Sequence, residues 1–315
     1  MADWLSLPSH EVVATVRSDS KGNSLIEAYP HVHHGQLAYT VVRDISEEGA
    51  FNTAMQMRPF DSIVHVASPY HYQPEDIQRD LIDPAVNGTL GILKAAKEYA
   101  PSVRRVVITS SFSAMVHTKN PPMVYTEKHW NPITMEEAKE NGVQAYRASK
   151  KFAERAAWDF VASSAPNFTI ATVNAPLILG PVAPWLESMD SINTSNERVR
   201  DLILGKWKQG LPGSVFWHWV DVRDVALAHV RAMTRPEAAG KRFLLCQGKM
   251  SNAEIAQIGI EEFPELRSKV PEVLESDEPT TLFDIDATQS KEVLGIEYRE
   301  LRVTIVDAIK ALIRN

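Results

Sequence analysis

The stretch Ala145-Tyr146-Arg147-Ala148-Ser149-Lys150 decides how this chain is read. Tyr146 and Lys150 stand four residues apart in a segment of helical composition, so their side chains share a face, one turn apart. An ammonium beside a phenol favours the phenolate and lowers the tyrosine pKa. The pair is therefore a proton donor and acceptor usable near neutral pH. Upstream, Val106-Val107-Ile108-Thr109-Ser110-Ser111 is an apolar run ending in hydroxyls. A buried parallel strand that delivers a serine to the carboxyl edge of a sheet has this form. Singly, the pair reads as surface decoration and the serines as a turn. In this order, with an Ala- and Phe-containing helix following, they point to a site.

The totals narrow the field. The 315 residues carry a net charge of -7, which argues against nucleic acid or an anionic membrane as the main partner. The one cysteine, Cys246, lies in an apolar run and reads as a buried structural thiol. No segment approaches the length of a membrane span. Residues 1–10 lack the basic flank and apolar core of a signal peptide. A cytoplasmic enzyme fits these features; the oligomeric state stays open.

Strands are predicted at residues 11–16, 37–42, 63–67, 103–109, 168–173 and 241–247, with VFWHWV at 215–220 leading into a further helix. Helices are predicted at 51–57, at 75–99 with Pro84 kinking or restarting it, and from Tyr146 to about residue 163. Asp224 can serve the helix that starts near 221, and Ser251-Asn252-Ala253-Glu254 is a capping box. Strands alternating with helices mean a parallel sheet covered on both faces. The expected fold is α/β, a Rossmann-like doubly wound parallel sheet, N-terminally truncated, with a smaller C-terminal substrate lobe. The Rossmann-like part takes residues 1–182 plus 214–250, and the lobe 183–213 plus 251–315.

Several residues carry two readings. Arg17 and Lys21, just after the first strand, suit a 2′-phosphate or a solvated turn. Asp44-Ile45 suits an adenine contact. His31, His33 and His34 cluster without a carboxylate or cysteine at ligand spacing, so they read as loop and no metal is expected. His65, within a strand, reads as packed and hydrogen-bonded rather than catalytic. Gly88 and Gly91 lie in a helix and read as close packing, and no G-x-G-x-x-G precedes residue 11. The long segment 112–141, with Trp130-Asn131-Pro132, should border a substrate site. Trp130, Trp185, Trp217 and Trp219 suit either an apolar or aromatic carbonyl substrate or an ordinary core.

Taken together, these motifs resemble the extended branch of the short-chain dehydrogenase/reductase superfamily, in its dihydroflavonol-reductase and methylglyoxal-reductase type. The resemblance rests on Arg17 and Lys21, Asp44-Ile45, His65-Val66-Ala67-Ser68-Pro69 and Asn87-Gly88. It continues through Thr109-Ser110-Ser111, Trp130-Asn131-Pro132, Tyr146 to Lys150, Gly180-Pro181 and Asp221-Val222-Arg223-Asp224-Val225-Ala226. It implies that Ser111, rather than Ser110, orients a substrate carbonyl, that Tyr146 delivers the proton, and that Lys150 holds the nicotinamide ribose. Hydride would come from NADPH, contacted by Arg17, Lys21, Asp44, Ile45, Ala67, Tyr146, Lys150 and Pro176.

Two departures stand out. Ala175 separates Asn174 from Pro176, where the family has the proline directly after the asparagine. The family's opening strand and glycine turn also have no counterpart, and residues 1–10 look like the tail of its first helix. Losing two or three charge-assisted hydrogen bonds to the pyrophosphate forfeits on the order of 3–9 kcal/mol. At about 1.4 kcal/mol per tenfold, micromolar binding becomes millimolar or worse. The strands at 11–16 and 63–67 should then each lack a neighbour or pair together. Three readings follow: an NADPH-dependent carbonyl reductase, a cofactor-independent acid–base enzyme (isomerase, lyase or cyclase) on the same residues, or a non-catalytic binding relative.

Overall fold

The computed structural model describes residues 10–32, 35–68, 75–117, 119–186, 188–275 and 283–314. Strand β1 (Val12–Val16), helix α1 (Asp19–Glu27) and β2 (Leu37–Val41) form a βαβ unit, its strands parallel from Val12 opposite Leu37 to Val16 opposite Val41. Then come α2 (Asn52–Gln56), β3 (Ser62–His65), a π-helical turn (Gln78–Ile82), α3 (Asp83–Tyr99) and β4 (Arg105–Thr109). Next are β5 (Val124–Tyr125), α4 (Met135–Ala138), α5 (Gly142–Ser164), β6 (Thr169–Asn174), β7 (Leu177–Leu179) and α6 (Glu197–Ile203). The chain continues with β8 (His218–Asp221), α7 (Val222–Thr234), β9 (Lys241–Leu244), β10 (Gly248–Lys249) and α8 (Asn252–Glu262). It closes with β11 (Asp284–Ile285), α9 (Thr288–Leu294) and α10 (Leu301–Arg314).

Strands β3, β4, β6 and β9 form a parallel sheet in that order. Alternation along them builds a core on each face. Val106 and Ile108 of β4 and Ile170 of β6 pack with Phe51, Met55, Ile92 and Leu93 on one side. Val107, Ala171 and Val173 pack with Val225, Ala228 and Phe243 on the other. Leu294 and Ile296 join that second face. A further core gathers Trp219, Leu202, Ile255, Ile305 and Ile309 from β8, α6, α8 and α10.

Local signals explain the breaks. Pro84 sits in the first turn of α3, where its missing N–H costs nothing, and the helix restarts there after the π turn. Asn141 accepts from the Gln144 N–H and starts α5. The Ser251–Glu254 capping box forms as its spacing predicts. Asp221 caps α7, while Asp224 is fully buried and accepts from the Arg299 N–H and guanidinium. Gly88 lets α3 approach Ile45, whose Cδ1 would lie 3.0 Å from a Cβ there.

Strands β1 and β3 do not pair with each other. Among the described residues β1 bonds only to β2, and β3 only to β4. The strands β5, β7 and β10 were not expected; at two or three residues they are too short to show a period.

Candidate active site

The carboxyl end of β4 turns sharply into a short 3-10 turn, Phe112–Ala114, capped by Ser111. The Ser111 hydroxyl accepts from the Ser113 N–H at 3.1 Å. That turn packs against α5, the helix bearing Tyr146 and Lys150. The two neighbouring serines are distinct. The Ser110 hydroxyl is buried and donates to the Glu154 carboxylate at 2.5 Å. The Ser111 proton is donated to no other described group, and the residue is half-buried.

On α5, the Lys150 ammonium lies 5.7 Å from the centre of the Tyr146 ring. Among the described residues it donates to no hydrogen-bond acceptor, and desolvation lowers its pKa to about 8. A small cavity beside it is lined by His65, Ala67, Ser68, Thr109, Ser110 and Glu154, with Thr89, Ile108 and Ala153 completing the wall. His65 is packed as expected, edge-on to Phe51 with ring centres 6.1 Å apart. Burial and then the Lys150 charge push its pKa down to about 4, and, unlike the hydrogen-bonded histidine expected, its Nε2 makes no hydrogen bond among the described residues. Next to it, Thr109 Oγ1 lies 2.7 Å from His229 Nε2.

The nucleotide candidates lie elsewhere. Arg17 and Lys21 are exposed, at the carboxyl end of β1 and in the first turn of α1. Asp44 follows β2 and accepts from the Ser46 N–H at 2.8 Å and hydroxyl at 2.6 Å. Those bonds, and the nearby Arg17, hold its carboxyl below the usual range. Ile45 packs toward α3. Pro176, half-buried, makes the bend between β6 and β7. Pro69, His33 and His34 lie outside the described residues, and no metal-ligating cluster occurs among the described ones.

The tryptophans divide. Trp219 and Trp217 are core residues, at 0% and 7% exposure. Trp130 is held by two guanidiniums, Arg242 at 3.7 Å and Arg155 at 4.7 Å from its ring centre. Trp185 packs against Tyr29 with centres 5.6 Å apart. Asn131 explains its motif: it donates to the Ser113 carbonyl and accepts from the Ile133 N–H, both at 2.9 Å, which staples the segment 112–141 to the turn after Ser111.

Sequence reading missed Glu154. It is 1% exposed and sits one helical turn beyond Lys150. Its place at the next i+4 step after Tyr146 and Lys150 was the available signal.

The chain as a whole is similar to known proteins. Residues 1–246 match the NAD dependent epimerase/dehydratase family. A ketoreductase of Aspergillus niger is 42% identical over 309 residues, covering 97% of this chain and 91% of the relative. An NADPH-dependent methylglyoxal reductase of Saccharomyces cerevisiae is 34% identical, covering 100% and 94%. A crystal structure of a Candida albicans relative in complex with NADPH superposes with a TM-score of 0.92 at 34% identity, covering 99% and 94%. Among the described residues, no helix is long and apolar enough to cross a membrane.

Proposed function

The chain belongs to the NAD dependent epimerase/dehydratase family, and from that footing we propose that it is an NADPH-dependent reductase of small aldehydes and ketones. One observation at the site carries the reading. The serine whose proton is uncommitted, Ser111, caps a turn packed on the helix that presents Tyr146 with Lys150 one turn away. Ketoreductase and methylglyoxal reductase relatives over almost the whole length support it.

The residues suit the nicotinamide end of the cofactor. Lys150 and His65 line one cavity; among the described residues His65 Nε2 is buried without a hydrogen bond and Lys150 Nζ makes none, and a buried polar group calls for a partner. Lys150 would hold the ribose. Arg17 and Lys21 would meet a 2′-phosphate, with Asp44, Ile45, Ala67 and Pro176 completing the nucleotide contacts. When bound, NADPH supplies hydride to the carbonyl carbon. Ser111 donates to the carbonyl oxygen, and Tyr146 delivers its proton to that oxygen as negative charge grows. The Lys150 ammonium favours the phenolate that remains.

Calorimetric titration with NADPH, followed by NADPH oxidation with methylglyoxal, tests the proposal. Saturable binding and oxidation that needs both reactants are expected. No binding at millimolar NADPH would overturn it. Carbonyl turnover without NADPH that Tyr146→Phe abolishes would replace it with cofactor-independent acid–base chemistry.

A further inference from the structure

We propose that Glu154 is a positioning residue, a buried carboxylate that sets Ser111 against Tyr146 and Lys150. The inference rests on the reductase reading above. Glu154 sits in the wall of the Lys150 cavity and draws donors from three parallel strands onto the catalytic helix. Its Oε2 accepts from the Ser110 hydroxyl at 2.5 Å and Asn174 Nδ2 at 2.7 Å. Its Oε1 accepts from Arg242 Nε at 2.6 Å, Thr172 Oγ1 at 3.1 Å and Trp158 Nε1 at 3.3 Å. Five donors saturate the roughly four lone-pair positions of a carboxylate.

Two of these legs end at Ser111. Ser110 is its chain neighbour. Asn174 Nδ2 also donates to the Ser111 carbonyl at 3.2 Å, so one amide spans the carboxylate and the serine backbone. A third leg reaches the segment 112–141. Arg242 donates to the Glu127 carbonyl at 2.5 Å and the His129 carbonyl at 2.7 Å, and lies over Trp130. Buried polar networks hold geometry in proportion to how fully they are satisfied; here Glu154 is saturated, and Arg242 Nη2, on a guanidinium stacked over Trp130, makes no hydrogen bond among the described residues.

Glu154→Gln strikes the Ser111 leg selectively. Arg242 Nε requires an acceptor, so the amide oxygen takes the Oε1 position and the NH₂ the Oε2 position. That NH₂ then faces the Asn174 NH₂. Turning the Asn174 amide relieves the conflict but aims its oxygen at the Ser111 carbonyl, which repels it. Ser111 loses its anchor while Arg242 keeps its own.

The test measures kcat for methylglyoxal and Kd for NADPH, with kcat taken per NADPH-binding site so that unfolded protein does not count. E154Q is expected to lower kcat about tenfold to a hundredfold, the scale of one lost charge-assisted hydrogen bond. NADPH Kd should stay within about threefold of wild type, since no nucleotide contact is lost. Trp158→Phe removes a donor from the same carboxylate on the side away from Ser111, and should leave kcat within about twofold. E154Q with wild-type kcat, or W158F lowering kcat as much as E154Q, overturns the inference. If E154Q does not fold, Ser110→Ala carries the test: a several-fold loss of kcat supports it and an unchanged kcat overturns it. A wild-type chain that oxidises no NADPH fails the reductase reading and takes this inference with it, whereas an active wild type with an indifferent E154Q fails this inference alone.

Discussion

The four-stranded parallel sheet and the parallel pair β1–β2 are held in opposite ways. In the four-stranded sheet, β4 is buried from Arg105 to Ile108 and β6 from Ile170 to Asn174. Charge is absorbed there as well. The Arg105 guanidinium donates to Thr169 Oγ1 at 2.8 Å and the Ala232 carbonyl at 2.6 Å, and Arg242 is paired with Glu154. In β1 and β2 no residue is fully buried, and Arg17, Lys21 and Asp44 beside them are exposed. The proposed catalytic residues are therefore mounted on a buried frame that pairs most of its own charge. The strand pair proposed to face the nucleotide keeps surface that a ligand can cover.

The contrast can be broken at the rigid end first. Lys150→Met should lower kcat/KM about a thousandfold, within the range of acid–base groups, with near-wild-type stability because a charge that burial disfavours has been removed. Steady-state kinetics and thermal melts check both halves. The same lysine sets a pH edge. Its folded pKa is lowered to about 8, so the ammonium is lost as pH rises through that value, and kcat/KM should fall above it. A profile still level at pH 10 would contradict this role.

Ser111→Ala should cost about a hundredfold in kcat, the effect of removing one oxyanion donor, and Ser110→Ala clearly less. Equal losses would mean that the sharp division between the two hydroxyls has no catalytic meaning.

At the exposed end the effects are smaller. Arg17→Ala should weaken NADPH about tenfold and NADH hardly at all, as expected for one charged contact to a 2′-phosphate. Hydrogen exchange compares the regions directly. NADPH should slow exchange at residues 12–16 and 37–41 more than at 105–109 and 169–174, since the latter are already protected. Equal protection of both sets would erase the distinction.

What the sequence revealed follows the range of the interactions. Tyr146 and Lys150 were legible because a helix places residues four apart together. The apolar run ending in Ser110-Ser111 was legible too, although only the family resemblance favoured Ser111 of the two; the Pro84 restart and the Ser251 capping box were legible because each is local. The Glu154–Arg242 contact joins residues 88 apart in sequence, and no local pattern announces it. Trp130 illustrates the same limit. A tryptophan in a long segment suits a substrate site or an ordinary core, and no local pattern announces that guanidiniums from α5 and β9 occupy its ring. Strand β5 finds its partner in β11, far along the chain, through only two residue pairs.

Single-turnover mixing of NADPH-loaded protein with methylglyoxal, for wild type and Tyr146→Phe, tests the central claim most directly. Both proteins should bind NADPH alike, wild type should oxidise it, and Tyr146→Phe should do so at least a hundredfold more slowly, at about the lower bound for loss of a general acid. Equal oxidation rates in the two proteins, or none in wild type, would contradict it.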